Sequence, residues 1–324
     1  MKVSVVMAVY NGERYVKQSI DSVLAQSYRD FELIVVNDGS TDRTMDIVGR
    51  MSDPRLKVVS LPRNGGAASA LNTAVRHSSG DWIAIHDADD VSLPERLAVQ
   101  AEYARTRPQL SAVGAQIACF GEAGVSPQRL RETEKALNLS GPTLFRDRYS
   151  ICPLCHGTAL ISKAKFWQAG GYDTGYTITY DYDLWLKLFR LGPIEKIDRV
   201  LYRYRLRPDS LSHNGIHTYV ERLRCCVRRL CEFDLPRRAG VPDVVVLGEE
   251  KHCRTMRAAV APYCPIRVRL YCHSRIGAMK EKLVSMATSG EISGILQLGH
   301  GMRKELTLYF EQRGLVRNRQ FFNL

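Results

Sequence analysis

Two runs near the start, "KVSVVMAV" and "FELIVVND", are continuously apolar and rich in β-branched residues, the pattern of strands buried on both faces of a parallel sheet. Between them "RYVKQSIDSVLAQS" carries Tyr15, Ile20, Val23 and Leu24 at helical spacing. The alternation then repeats. "DGSTDRTMDIVGRM" opens with Ser, Thr and Asp as N-cap candidates for a second helix, and "RLKVVSL" reads as a third strand. "GGAASALNTAVRHSSG" is a helix of small residues ending near Gly80, and "DWIAIHD" is a fourth strand. Ser92 and Glu95 have capping-box spacing with Pro94 in the first turn, which predicts a helix from Pro94 to Thr106. Strands alternating with helices define an α/β class with an open, mostly parallel sheet.

Beyond Phe120 the pattern loosens through "GEAGVSPQRLRETEKALNLSGP", read as an excursion or lid. Order returns at "HGTALISKAKFWQAGGYD", and "DYDLWLKLFRLG" is an amphipathic helix stopped by Gly192. From Gly215 the chain is Arg-rich and mainly helical, with "VVVLGEEKHC" open between an extended segment and a helix start. The expected division is a first domain over residues 1–214 and a basic, mainly helical extension over residues 215–324.

Ligands of open α/β sheets collect beyond the carboxyl ends of the strands. "VNDGSTD" and "HDADD" both fall at such ends, so both acidic turns are expected to face one crevice. Asp87, Asp89 and Asp90 crowd like charges together, which is costly unless they stay solvated or meet a cation, and hard divalent cations take carboxylate oxygens. A solvated turn and a cation site both account for the cluster taken alone. No G-x-G-x-x-G follows the first strand and no G-x-x-x-x-G-K-[ST] occurs anywhere, which removes the usual phosphate cradles of dinucleotide enzymes and P-loop ATPases.

Composition adds two points. The net charge is +12, and from Gly215 onward 19 Lys and Arg stand against 10 Asp and Glu, so +9 lies in the C-terminal third. That imbalance points to an anionic partner: a membrane surface, a polyanionic acceptor or nucleic acid. Leu223, Val227 and Leu230 recur at helical spacing among Arg228-Arg229 and before Arg237-Arg238, the pattern of an amphipathic helix lying on an anionic membrane. The alternative is that these residues pack inward and the arginines face water. The opening residues lack a signal-peptide cleavage pattern, and no run approaches the ~18 apolar residues of a membrane span. The expected location is therefore cytoplasmic, with the basic part peripheral on the inner face of the membrane. Nine cysteines suit that compartment as reduced thiols.

Six ordered motifs resemble a family 2 glycosyltransferase with the GT-A fold. They are "VSVVMAVYNGERYVKQSIDSVLAQSYRDFELIVVNDGSTDRT", "NGGAASALNTAV", "DADD", "HGTALI", "GGYD" and "DYDLWLKL", spread over Lys2 to His213. The resemblance implies a nucleotide-diphosphate-sugar donor, with Tyr10 stacking on the base and Asp38 hydrogen-bonding it. By the same resemblance Asp87 takes the ribose side, and Asp89 a Mg²⁺ or Mn²⁺ bridging the diphosphate. Asp90 supports that pair. "DYDLWLKL" is similar to the family's E-D-Y-D-L-W segment, which makes Asp181 the general base of an inverting transfer. Asp183 then lies on another helical face as an N-terminal helix charge.

Three departures from the family pattern stand out. Tyr180 occupies a position where the family often has Glu. Arg207, in "YRLRPDSLS", stands where many members have a His near the metal, and an Arg there binds phosphate directly. His213 is the candidate replacement for that imidazole, against the plainer reading of an exposed histidine. No Q-x-x-R-W follows, which argues against a processive synthase. The implied activity is a non-processive, metal-dependent transfer to a hydroxyl of a glycan or lipid-linked acceptor, in cell-surface polysaccharide synthesis by family association.

Other constellations compete. "CPLCH", Cys152 to His156, has the C-x-x-C-H spacing of c-type haem attachment, but His156-Gly157 also falls where the transferase pattern has its HG near the acceptor. Cys225, Cys226, Cys231 and Cys253 near His252 fit no paired zinc spacing and read as packed thiols. Two further function classes stand beside the enzyme: a nucleotide-sugar-binding protein without catalysis, which an intact Asp181 disfavours, and a nucleic-acid-binding module. The latter has only the basic tail behind it and none of the interleaved aromatics, so no nucleic acid is expected.

Overall fold

The computed structural model describes residues 1–122, 124–141, 143–208, 215–235, 240–273, 276–299 and 303–324. The chain divides into two compact units, Met1–Phe145 with Cys152–His213, and Arg146–Ile151 with Asn214–Leu324.

The first unit runs β1 (Val3–Val9), α1 (Val16–Leu24), β2 (Phe31–Asn37), α2 (Thr44–Val48), β3 (Leu56–Ser60), α3 (Ala67–Arg76), β4 (Trp82–Ile85), β5 (Val91–Ser92), α4 (Arg96–Arg105), β6 (Ala112–Gly121) and α5 (Pro127–Leu137). A short α6 (Thr143–Arg146) leads into the second unit, and β7 (Leu160–Ser162), α7 (Lys163–Gln168), α8 (Tyr180–Leu188) and β8 (Ile194–Leu206) complete the first. The sheet order is β3-β2-β1-β4-β7-β6-β8-β5. β3, β2, β1 and β4 are mutually parallel, which brings the carboxyl ends of these strands to one edge. Beyond β4 the sheet is mixed: β7 is antiparallel to β4 and β6, β8 is parallel to β6, and β5 is antiparallel to β8. β1 and β2 are buried because their apolar residues on one face, Val5, Met7, Leu33 and Val35, join the main core with Val16, Ile20 and Val23 of α1.

Two local expectations change in the folded chain. Ser92 does not cap α4. It lies in β5, and its hydroxyl accepts from the Arg96 guanidinium at 3.0 Å, while Glu95 pairs with Arg199 at 2.8 Å. Strand pairing with β8 claimed the serine before the helix could. The excursion after Phe120 contains α5, capped by the Ser126 hydroxyl, which accepts from the Arg129 N–H, with Pro127 as its first residue. It is anchored to β6: Asn138 exchanges two 2.8 Å hydrogen bonds with the Ile117 backbone, and Glu134 accepts from the Cys119 N–H.

The second unit runs α9 (Gly215–Phe233), β9 (Asp243–Leu247), α10 (Glu250–Thr255), β10 (Arg267–Cys272), α11 (Ile276–Ser289), β11 (Gly294–Gln297), α12 (Arg303–Gln312) and β12 (Phe321–Asn323). It is helical in the main, and a four-stranded parallel sheet in the order β10-β9-β11-β12 organises it. "VVVLGEEKHC" is thus both of its alternatives, a strand followed by a helix. Val245, Leu247, Ile295, Leu283, Phe310 and Phe321 form its core. The insertion Arg146–Ile151 is held here by Asp234, which accepts from Tyr149 and pairs with Arg148 at 3.0 Å.

The apolar face of α9 is turned inward. Leu223, Val227 and Leu230 are all buried, so the helix has no free apolar stripe with which to enter a membrane surface. Arg228 and Arg229 both pair with Glu232, and Arg224 donates to the Ala259 carbonyl. Arg237 and Arg238 lie outside the described residues. Among the described residues no helix is long and apolar enough to cross a membrane.

Candidate functional site

The acidic turn begins where β4 ends, and β8 fixes its shape. Ser92 and Val91 pair with Tyr202 and Arg203, so the turn is stretched between β4 and the strand two places beyond β7. The Asp87 N–H donates to the Tyr202 hydroxyl at 3.2 Å, the Asp90 carboxylate accepts from the Arg205 N–H at 2.6 Å, and the Asp89 carbonyl accepts from the Arg205 side chain at 2.6 Å. The Arg205 guanidinium also stacks over Tyr15 and Phe120. Beneath the turn Arg96 is fully buried and satisfied by the Ile85 carbonyl, Ser92 and Gln100. Gly157 closes the floor: a Cβ there would lie 2.8 Å from an Asp87 carboxylate oxygen.

The three carboxylates divide by environment. Burial works to raise the Asp87 pKa, but hydrogen bonding to His156 and the charges of His156, His86 and Arg96 outweigh it and hold it below the ordinary value. His156 Nδ1 lies 3.4 Å from Asp87 Oδ1. Asp89 goes the other way: burial and the Asp87 charge raise its pKa, against the opposing Arg207 and Arg205. Arg207 Nε is 3.3 Å from Asp89 Oδ2. Asp90 is buried and pushed well above the usual carboxylate range by burial and by Asp89 and Asp87. Such a turn favours added positive charge. Among the described residues no three His, Cys, Asp or Glu side chains gather as a complete ligand set. Asp87 and Asp89 offer carboxylate oxygens, the donor type that hard cations take alongside phosphates and water.

Asp181 enters from α8. It stands in the first turn, half-buried, with Oδ1 accepting from the Tyr182 N–H at 2.6 Å. Burial raises its pKa, the His156 charge opposes that, and Asp87 adds to it. His156 links the two acidic segments. Its Nε2 is 2.9 Å from the Tyr172 hydroxyl, and its ring packs edge-on to Tyr172 and Tyr180, at 5.7 and 5.5 Å between centroids. Burial would lower the His156 pKa, but Asp87 first and then Asp181 raise it on balance. Tyr180, the departure from the family's Glu, thus builds an aromatic wall beside Asp181. Asp183 is fully buried in an ion pair, 2.9 Å from Lys187 Nζ, so this helix-terminal charge braces α8.

Asp38 and Tyr10 lie on the same sheet edge, after β2 and β1. Asp38 is buried, and its two oxygens accept from the Gly65 and Gly66 N–H groups at 2.8 and 2.9 Å. It fastens the loop that opens α3. Gly39, at φ +72°, lets that loop approach, since a Cβ there would lie 2.7 Å from the Arg63 carbonyl carbon. Tyr10 is 49% exposed and free to stack. His213 lies outside the described residues.

Cys152, Cys155 and His156 do not converge. Cys155 packs with Ile117 and Tyr202, the Cys152 thiol donates to the Leu154 carbonyl, and His156 belongs to Asp87 and Tyr172. No disulfide joins any of the nine cysteines, all of which lie among the described residues. The sequence reading missed Arg205, Tyr202, Tyr172 and Arg96. For the first two a signal existed: "YRYRLR" alternates with period two, which puts Arg203, Arg205 and Arg207 on one side of a strand and the tyrosines on the other.

A mixed α/β sheet with an acidic turn at the carboxyl edge of its parallel half is the GT-A architecture. The family model for glycosyl transferase family 2 matches residues 4–170. The putative glycosyltransferase EpsE of Bacillus subtilis is 34% identical over 87% of this chain and 97% of its own length. Chondroitin synthase of Pasteurella multocida is 27% identical over 67% of this chain and 22% of its own. Among solved structures, S. aureus TarS 1–349 in complex with UDP-GlcNAc is similar with a TM-score of 0.58 and 24% identity, over 73% of this chain and 68% of that one. The mannosyltransferase PcManGT of Pyrobaculum calidifontis, in complex with GDP-Man and Mn²⁺, is similar with a TM-score of 0.51 and 22% identity, over 71% and 63%. At these identities the structures share the fold. The chain belongs to glycosyl transferase family 2, and it is a glycosyltransferase.

Proposed function

We propose that the chain is a non-processive, inverting transferase that moves a sugar from a nucleotide-diphosphate sugar to a hydroxyl of a glycan or lipid-linked acceptor. The observation that carries this reading is that Asp87 of the acidic turn and Asp181 of α8 act on each other's neighbourhood through His156. Segments nearly a hundred residues apart thereby share one electrostatic site. Tyr10 and Asp38 take the nucleoside end, Asp87 the ribose, and Arg207 the diphosphate. Asp89 holds Mg²⁺ or Mn²⁺, which when bound neutralises the diphosphate charge. That the structural neighbours were solved with UDP-GlcNAc, or with GDP-Man and Mn²⁺, supports both the donor class and the metal.

Asp181 accepts the proton of the acceptor hydroxyl as its oxygen bonds to the anomeric carbon. The bond from that carbon to the diphosphate breaks, and its electron pair leaves on the phosphate oxygen. Attack from the face opposite the leaving group inverts the anomeric configuration. A raised carboxylate pKa suits a base of this kind, provided the working pH lies above it. We assign the work to the cytoplasm as part of this proposal; any membrane attraction would rest on charge, since Leu223, Val227 and Leu230 of α9 are buried.

The test is a panel of nucleotide sugars with Mn²⁺ or Mg²⁺, following donor hydrolysis and then the anomeric configuration of transferred product by NMR. Metal-dependent turnover of one donor with inversion is the expected result. Retention of configuration would remove Asp181 from its role.

A further inference from the structure

The motifs "NGGAASALNTAV" and "GGYD" carry no side chain assigned to the transfer, yet the fold joins them. Asn72, buried on α3, reaches Tyr172 in the loop between α7 and α8, 100 positions later. Its Nδ2 donates to the Tyr172 carbonyl at 2.9 Å, and its Oδ1 accepts from the Tyr172 N–H at 3.0 Å, so one side chain holds both backbone groups of one residue. Gly171, at φ +67°, makes room for that clamp, since a Cβ there would lie 2.8 Å from Asn72 Oδ1. From the other side Lys187 of α8 donates to the Gly171 carbonyl at 2.7 Å while paired with Asp183. The loop is thus tied both to the helix whose entry Asp38 fastens and to the helix that carries Asp181.

The clamp fixes a hydroxyl. Tyr172 is 2% exposed, its ring is edge-on to Phe166 and Tyr180 at 5.2 and 5.5 Å, and its Oη lies 2.9 Å from His156 Nε2. The opposite ring nitrogen, Nδ1, faces Asp87 Oδ1 at 3.4 Å. An ionised carboxylate only accepts hydrogen bonds, so a bare Nδ1 in that position would set lone pairs against each other. A neutral imidazole carries one proton, and the bond made by one nitrogen decides which of the two keeps it. A hydroxyl that donates to Nε2 leaves the proton on Nδ1. When the ring takes a second proton, the same hydroxyl turns to accept from Nε2–H, so an N–H faces Asp87 in both states.

We propose that Asn72 and Tyr172 are positioning residues of the transferase: Asn72 sets Tyr172, and Tyr172, through His156 Nε2, keeps an N–H of His156 directed at Asp87. The chain Asn72–Tyr172–His156–Asp87 runs from the middle of α3 to the acidic turn. It rests on the proposed function only for what Asp87 does; the tautomer of His156 stands apart from what Asp87 binds.

The experiment is nitrogen–proton NMR of the His156 ring in the full chain, taken above the pH at which the ring titrates, beside kcat/KM for the donor turned over in the nucleotide-sugar panel. The native ring should carry its proton on Nδ1. Tyr172→Phe keeps the aromatic ring and removes the hydroxyl. It should release the second tautomer and lower kcat/KM at least about tenfold, the lower end of the loss that follows removal of a partner orienting a ligand. Asn72→Ala should move both readouts in the same direction. A native ring protonated on Nε2 with Nδ1 bare, a Tyr172→Phe variant with an unchanged tautomer, or a changed tautomer with unchanged kcat/KM would each overturn the proposal. If Asn72→Ala fails to fold, Tyr172→Phe decides alone. A panel in which no donor turns over fails the transferase reading, and the tautomer in the two variants then decides for the clamp.

Discussion

Asp89 and Asp181 are both raised carboxylates, but their neighbours differ. Asp89 faces Arg207, and burial and the repelling Asp87 raise its pKa, a strain that the proposed cation would relieve. Asp89→Asn should remove that demand. Outer partners of metal ligands are worth about 10–100-fold in affinity, and loss of the ligand itself should cost at least as much in metal-dependent donor binding. Titrating donor with and without Mn²⁺ in both proteins checks this; unchanged metal dependence would remove Asp89 from the metal. In the proposed mechanism Asp181 is the base, so activity should be lost as pH falls through its raised pKa. His156, when protonated, is the cation that holds that pKa down. His156→Gln should therefore move the acidic limb of the kcat/KM profile to higher pH. A limb that stays in place would mean that His156 acts only through Asp87 and the aromatic wall.

At the scale of elements, α9 shows where periodicity stops informing. Leu223, Val227 and Leu230 at helical spacing announce an apolar face, and the same pattern serves a membrane surface and a protein core equally well. Burial decides for the core. Val227→Asp should then destabilise the protein by at least about 3 kcal/mol, because it places an unpaired carboxylate in a closed site. Thermal unfolding measures that loss. Binding to anionic liposomes that weakens in this variant without any fall in stability would restore the membrane reading. Strands β1 to β4 were legible because their runs are largely apolar and rich in β-branched residues, whereas β5 to β8 were not singled out. Strands β11 and β12 were not legible either, since Gly294–Gln297 and Phe321–Asn323 are too short to show any period and become strands only through the sheet they join, while β9 was one of the two alternatives for "VVVLGEEKHC". Ser92 was misplaced for a related reason: capping and strand pairing compete for one residue, and the partner strand lies over a hundred positions away.

Across the whole molecule, the residues proposed to meet substrate announced themselves and the residues that position them did not. Asp87, Asp89 and Asp181 stand in motifs with a chemical reason for their spacing. Arg96, Tyr172 and Tyr202 act by tertiary pairing, and an Arg buried under an acidic turn has no local signature. The second sheet was hidden within a stretch whose charge drew more notice than its pattern. The central claim is that two distant segments make one transferase site, with Asp181 as its base. Asp181→Asn keeps the shape and removes the base, so the decisive measurement is single-turnover transfer beside donor affinity in that variant. Transfer slowed by roughly 10²–10⁴ with donor binding near normal is the predicted result. A correctly folded variant that still transfers sugar at close to the native rate would contradict it.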